Sequence, residues 1–563
     1  MNTALEMNSA LYERLRACLA SVCPLRHPRA TLRLARTLAN FASFNHPGRF
    51  CDGAIDNRLL AIGNRLSQLP TAEQVNGYRL LAARNTNAPR RRVLHVTTSV
   101  HRLGGVSPLI ANWIRNDRES QHTVVVTDQR GQAERQGRLY PRFLEAIVEN
   151  DGYLYLLPSN LDICQRAMAT RWIRDRHADL ILLHHYPEDF VPLLAFAKPG
   201  GAPVAVVHSS DHNFWAGSAM TDTLINLRHI SLQYGRDRRA VEHNLCLPTP
   251  LEDKPLALSA AQARRQLGIA PSALVLLSIG RDVKYQPYRD RDFMKTATRI
   301  VSAVDNAHLY IVGYSHRGVC HERIHTLGPV ASPELYQAAA DIYLEGFPFG
   351  SQTALLESAL AGLPAVLAFA PLVDLLVTND QAVNSVLVRP RDEAEYIAQA
   401  LRLLRDVEYR RHTATALSGS VREAHLGPTW RTNLSAVYEA VQQRQHRPAP
   451  IPETDCHREV CDLELAEWCL STQQQWLTWN EWLDTKYYHY PPQPFDVDFL
   501  LHNTLVDMER SGYHREALTA FARTLPLAIR KSRSLKGVLR SALALLPGRR
   551  VSSPAHLALL NDL

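Results

Sequence analysis

From residue 91 to about residue 440, two kinds of pattern alternate along the chain. Short, continuously apolar runs are separated by stretches whose apolar residues recur three and four positions apart. The runs VLHVTTSV (93–100), HTVVVTDQ (122–129), YLYLLP (153–158), DLILLHH (179–185) and PVAVVHSS (203–210) predict strands. Between them LIANWIRN (109–116), LDICQRAMATRWIRDR (161–176) and PEDFVPLLAFA (187–197) predict helices. Strands that are apolar throughout and alternate with helices imply a parallel sheet covered on both faces. After the linker-like LPTPLEDKP (247–255), a second alternation starts near Pro271. Its strands are ALVLLSIG (273–280), DNAHLYIVG (305–313) and IHTLGPV (324–330), and its helices PELYQAA (333–339) and DEAEYIAQALRLLRD (392–406). The fold class expected is α/β, with two tandem Rossmann-like domains and a cleft between them.

The densest part of the second alternation is DIYLEGFPFGSQTALLESALAGLPAV (341–366). It predicts a strand over 341–345, a glycine-bearing loop, a helix over 352–361 and a further strand from Pro364. A helix that starts directly after such a loop points free N–H groups, and the positive end of its dipole, at whatever lies there. Gly350, Ser351, Gln352 and Thr353 form this end, and an anion is the ligand it suits. An ordinary strand–helix joint uses the same residues.

The flanks read differently. Residues 1–90 carry helical spacing in LYERLRACLASV, RATLRLARTLANFASF and DNRLLAIGNRLSQL, broken by His-Pro pairs, and predict a helical region without visible chemistry. Residues 91–250 and 265–445 are the two sheet domains. A linker, RPAPIPETD (447–455), leads to a helical extension, 455–563, in which Trp468, Trp476, Trp479 and Trp482 crowd together. Its tail, 530–550, predicts a basic amphipathic helix. Leu535, Val538, Leu539, Ala542, Leu543 and Leu546 share one face, and Arg530, Lys531, Arg533, Lys536 and Arg540 supply charge without an acid. Such a helix suits an anionic membrane surface, and equally a face packed on the protein body.

Composition narrows this picture modestly. The net charge of +8 permits an acidic partner without selecting one. Nine cysteines include no CxxC pair, so reduced thiols and no metal site are expected. The N-terminus lacks a secretory pattern, and no apolar run approaches the roughly 20 residues of a membrane span. These features predict a cytoplasmic protein, peripheral at the inner face of the membrane if the basic tail binds there.

Candidate chemistry gathers at predicted strand ends, where open α/β sheets place ligands. After the first strand come Gly104 and Gly105, which let a backbone approach a ligand closely. After PVAVVH comes HSSDHNFW, so His208, Asp211 and His212 are the candidate bases, and His184, His185 and Tyr186 end the neighbouring strand. In SIGRDVKYQP, Arg281 and Lys284 stand three residues apart beyond a strand and can reach one anion.

In order along the chain, GGV, GR…K, LGPV and FPFGSQTALLESALAGLP together resemble the GT-B glycosyltransferases, over roughly residues 91–442. SIGRDVKYQP is similar to the segment of those enzymes that grips a sugar nucleotide's diphosphate, and LLESALAGLPAV to their nucleotide-binding helix. The resemblance implies a metal-independent hexosyl transfer from a nucleotide sugar, with UDP as the carrier, to a glycan, lipid-linked or protein acceptor. Nucleic acid is not an expected partner, and no cofactor beyond the donor is expected. It places Gly328 beside the base. It assigns Glu357 to the ribose hydroxyls, as the second glutamate of the retaining enzymes' paired-glutamate motif. The first glutamate's position holds Phe349 here. FPFGSQT is instead similar to the loop of bacterial cytoplasmic N-glycosyltransferases and O-GlcNAc-transferase-like enzymes, which leans the outcome towards inversion. A sugar-nucleotide epimerase and a catalytically degenerate scaffold remain alternatives on the same fold.

Overall fold

The structure is a computed structural model and describes residues 3–69, 90–100, 105–127, 139–158, 161–187, 189–315, 321–330, 332–369, 374–453 and 464–468. Gly104, Trp476, Trp479, Trp482 and the basic tail over 530–550 lie outside the described residues. The chain divides into two compact units, Met1–Gly48 with Cys469–Leu563, and Arg49–Trp468. In the first, helices Thr3–Ser21 and Pro28–Phe44 pack together through buried residues including Tyr12, Leu19 and Leu38.

The larger unit holds both sheets. The first contains β1 (Arg91–Thr97), β2 (Ser120–Val126), β3 (Tyr153–Leu156), β4 (Leu180–His184), β5 (Val204–His208), β6 (Thr223–Asn226) and β7 (Asn244–Cys246). Their order is β3-β2-β1-β4-β5-β6-β7, and every pairing is parallel. The second contains β8 (Leu274–Ile279), β9 (Ala307–Val312), β10 (Ile324–Thr326), β11 (Ile342–Leu344) and β12 (Ala365–Val366), in the order β10-β9-β8-β11-β12, again parallel. The two Rossmann-like domains expected from the alternation are therefore present. In each, strand order reverses beside the first strand, between β1 and β4 and between β8 and β11. Ligands bind at such switch points, because the loops leaving the two strands diverge to opposite faces and leave a crevice.

Continuous apolar runs became strands buried on both faces, as in β4 and β5, where every residue is buried. Strands β6 and β7 were not legible. TLIN and NLC are too short and too polar to stand out, and β6 forms because its neighbour β5 offers an open edge.

Two elements join bodies that their place in sequence does not suggest. Helix Gly53–Leu66, in the amino-terminal helical region, docks beside the first sheet. Its fully buried Asp56 accepts hydrogen bonds from the N–H groups of Gly217 (2.9 Å) and Ala219 (3.1 Å). Helix Gly427–Gln442 follows the second sheet but packs on the first, where Trp430, Leu434, Val437, Tyr438 and Val441 join Val93, Trp113, Leu180 and Leu182 in one core.

That core also contains polar groups. His122, His95 and His184 lie diagonally across β2, β1 and β4, each two residues further along the sheet register than the last. His95 sits 2.9 Å from His122 and 3.2 Å from His184, nitrogen to nitrogen. Burial, then the neighbouring histidines, hold His95 well below the usual histidine pKa. His184 therefore stacks on His95 within the core and does not line the cleft.

Candidate active site

On the side of the second sheet, β8 and β11 present two adjacent loops. The Ser278 hydroxyl donates to the Leu344 carbonyl (2.8 Å), tying the two strands together just before they end. Beyond β8 the chain enters a single turn, Asp282–Tyr285. Tyr285 is buried beneath it, with its hydroxyl 3.0 Å from that of Ser278, so the turn is anchored from below. Lys284 then reaches across to the other loop and donates to the Gly350 carbonyl at 2.6 Å. Its side chain keeps some solvent access but is crowded by protein. Burial, with Arg281 and Arg228 adding to it and Glu345 opposing, pushes Lys284 down to about 7. Arg281 stands exposed beside it, without an ion-pair partner among the described residues.

The loop after β11 is shaped by Glu345. This carboxylate is fully buried and accepts from the N–H groups of Ala368 and Thr378, both at 2.8 Å. Its other neighbour is Gly350, where a Cβ would stand only 2.1 Å from Glu345 Oε1. No larger residue fits, and the Gly350 carbonyl is thereby held where Lys284 meets it. The helix that follows is Gln352–Leu360, close to the expected span. Ser351 is its N-cap and makes no capping hydrogen bond through its side chain. The first-turn N–H groups thus lack a side-chain cap, and Gln352 Oε1 is buried without a partner among the described residues. Thr353 is exposed. One turn on, Glu357 keeps solvent access, yet the surrounding protein, then Glu334 and Glu252, raise its pKa to about 7 against the opposing Arg142. Gly328 follows β10 with φ 62° and accepts from Gly313 N–H at 2.7 Å. Gly105 caps helix Val106–Asn116 through its carbonyl in ordinary helical geometry.

On the side of the first sheet, the loop after β5 carries the three candidate bases, and the structure distinguishes them. Asp211 is buried, and its Oδ2 accepts from Arg228 Nε (2.9 Å), Arg228 Nη2 (2.5 Å) and Ser231 Oγ (2.5 Å). Burial alone would raise its pKa. Arg228, His212 and His208 outweigh burial and hold it well below the usual carboxylate range. His208 is buried against Trp215 and 2.8 Å from Asn226 Oδ1. The Asn226 amide nitrogen is committed to Asn244 Oδ1 and the Leu245 carbonyl, so Oδ1 faces the ring and His208 Nδ1 carries the proton. Nε2 is left as a bare, buried acceptor without a partner among the described residues. Burial, then Arg239, push His208 to about 3, so it stays neutral. His212 is only half-buried. Its Nδ1 lies 3.7 Å from Asp211 Oδ1, and its ring is 5.3 Å from that of Phe349 on the opposite loop.

Two arginines that the sequence did not single out organise this loop. Arg239, fully buried, donates to the carbonyls of Phe50, Asn213 and Asp211 and lies over the Trp215 ring at 4.9 Å. Arg228 pairs with Asp211 and also donates to the carbonyls of Val377 (3.0 Å) and Leu375 (3.1 Å), which belong to the second domain. It therefore ties the two sides of the cleft. Arg228 lies directly beyond β6, and recognising that strand would have placed it at a strand end like the other candidates.

Two parallel-sheet domains that face each other through their strand ends, joined by a returning carboxyl-terminal helix, define the GT-B fold. Within it, residues 273–406 match the family described as glycosyl transferases group 1. No curated protein matches the chain. Among solved structures, a mutant of the O-GlcNAc transferase from Thermobaculum terrenum is similar over 77% of this chain and 82% of its own, at 17% identity and a TM-score of 0.46. Anabaena HepE in complex with UDP is similar over 63% of this chain and 100% of its own, at 15% identity and 0.45. A glycosyltransferase from Rickettsia africae covers 63% of this chain and 99% of its own, at 10% identity and 0.47.

Proposed function

We propose that the chain is a glycosyltransferase that takes its sugar from a nucleotide sugar, with a UDP-sugar as donor. The observation that carries this reading is the meeting of Lys284, Arg281 and the open N-terminus of helix Gln352–Leu360 at one switch point, inside the segment that matches glycosyl transferases group 1. In this reading the diphosphate sits on the helix N-terminus. It displaces the Gly350 carbonyl as the partner of Lys284 and restores that group's full charge. As the bond from sugar C1 to the β-phosphate oxygen breaks, the leaving diphosphate gains charge, which these fixed donors stabilise more than they stabilise the ground state. The protein's own cations supply the compensation that a metal supplies elsewhere. Glu357, on the same helix, accepts from the ribose hydroxyls, and Gly328 lies beside the base.

Across the cleft, His212 is the proposed base. Asp211 is already committed to Arg228 and keeps little affinity for a proton, so its role is to orient His212 and stabilise its charged form. His212 takes the proton from an acceptor hydroxyl or amide, whose oxygen or nitrogen forms the new bond to C1. Phe349 leaves the opposite side without a carboxylate, which suits a single displacement with inversion. A glycan, a lipid-linked sugar and a protein side chain all meet these requirements as acceptor.

The test is calorimetric titration of UDP into the wild type and an Arg281→Ala/Lys284→Ala variant. Loss of two charge-assisted contacts is expected to weaken binding by about 100-fold or more. Unchanged affinity in a folded variant would exclude the assigned diphosphate site.

A further inference from the structure

Phe349 is the meeting point of the cleft. It is a loop residue, so no strand ladder or helix fixes its ring, and its neighbours must. Three are in place. Lys284 Nζ stands 4.2 Å from the ring centroid, the His212 ring packs edge-on at 5.3 Å, and the Trp468 ring packs edge-on at 4.9 Å. The first two are the groups proposed above to meet the diphosphate and the acceptor. The third comes from the far end of the larger unit, more than 100 residues along the chain.

Residues 464–468 are short but firmly seated. Leu465, Ala466 and Trp468 are completely buried. Glu464 and Glu467 pair with Arg289 at 3.8 and 3.3 Å. Arg289 belongs to the same excursion beyond β8 that carries Lys284, and it adopts a left-handed backbone with φ 54°. Residues 464–468 therefore brace both loops at once, the one bearing Lys284 through Arg289 and the one bearing Gly350 through Phe349.

We propose that Trp468 is a positioning residue of the donor site: it presses Phe349 against Lys284 and His212, so the segment beyond the second sheet domain completes the site. This rests on the donor-site reading above. Lys284 reports on the arrangement because its low affinity for a proton depends on cover. The charged groups facing it are Arg281 and Arg228, which lower its pKa, and Glu345, which opposes them. His212, Glu464 and Glu467 lie one neighbour further out, against Phe349 and Arg289. If Phe349 loses its brace, water reaches Lys284 and its pKa rises towards that of an ordinary lysine.

The experiment uses the full chain and the variants Trp468→Ala, Trp468→Phe and Arg289→Glu. The last repels Glu464 and Glu467 from an exposed position and leaves the core intact. Lys284 labelling by an amine-reactive reagent is followed by mass spectrometry across pH, UDP affinity by calorimetry and folding by thermal melting. Trp468→Ala and Arg289→Glu are each expected to move the Lys284 midpoint up by about one unit or more, and to weaken UDP binding by about tenfold, the worth of one aromatic contact. Trp468→Phe should retain wild-type behaviour, and it is the Lys284 shift in Trp468→Ala that a purely structural role in filling space would not predict. A midpoint unchanged in a folded Trp468→Ala overturns the proposal. If that variant does not fold, an unchanged midpoint in Arg289→Glu does so. Failure of the wild type to bind UDP would instead overturn the donor-site reading, and the Lys284 midpoint would still decide whether Trp468 positions Phe349.

Discussion

At the scale of single residues, the site works by unequal treatment of like groups. Asp211 and Asp56 are both buried aspartates. Asp211 has Arg228 beside it and is held well below the usual range, whereas Asp56 has only backbone N–H hydrogen-bond partners among the described residues and burial lifts it to about 7. Replacing Asp211 by Asn leaves the Arg228 charge without its counterpart in a shielded site. A loss of about 3–5 kcal/mol in urea unfolding is expected, together with loss of transfer. Because its folded pKa is depressed, the stability contributed by Asp211 is present above its unfolded pKa of about 3.9 and lost as pH falls through the folded value. The acid limb of a wild-type stability profile should therefore flatten in the variant. Lys284 titrates in the opposite sense. Its proton leaves near pH 7 in the free protein, and a diphosphate favours the charged form. UDP affinity should fall as pH rises from about 7, by at most about tenfold per unit, and calorimetry on Lys284→Met should show that dependence gone. The charges themselves were legible in the sequence, since Arg281, Lys284, Asp211 and His212 all follow apolar runs. The protonation of Asp211 and Lys284 was not, because it depends on burial and on Arg228 and Glu345, which approach from other strands.

At the scale of elements, the helix Gln352–Leu360 and its loop were readable from glycine, proline and apolar spacing. The reason for Gly350 was not. Its neighbour Glu345 is five residues earlier and becomes buried beneath it only because Ala368 and Thr378 bring backbone donors to the carboxylate. Gly350→Ala places a methyl group against Glu345 Oε1. A cost of about 1–3 kcal/mol is expected, seen as a lower melting temperature, with weaker UDP binding because the Gly350–Ser351 turn shifts. A melting temperature equal to wild type would show that the loop has room the structure does not contain.

At the scale of the whole molecule, the chain crosses its own domains. Helix Gly427–Gln442 follows the second sheet and closes the core of the first, where Trp113 Nε1 donates to the Tyr438 hydroxyl at 2.7 Å. Its five buried core residues contribute on the order of 10 kcal/mol by area, similar to the whole stability of a typical domain. A chain ending at residue 426 should therefore lose the fixed packing of the first sheet, read as loss of near-ultraviolet circular dichroism, while a chain ending at 453 keeps it.

The amino-acid sequence by itself determined the two parallel sheets and the strand ends at which chemistry collects, since the strands show as continuous apolar runs and the helices as apolar spacing of period 3.6. It also marked the glycine-bearing loop before the helix. Only the tertiary structure decided which body each flanking helix joins, that His184 faces a buried histidine neighbour, that Arg228 spans the cleft, and that Trp468 meets Phe349. Each of these depends on contacts between residues far apart in the chain, and such contacts are selected by the shape of the assembled surfaces.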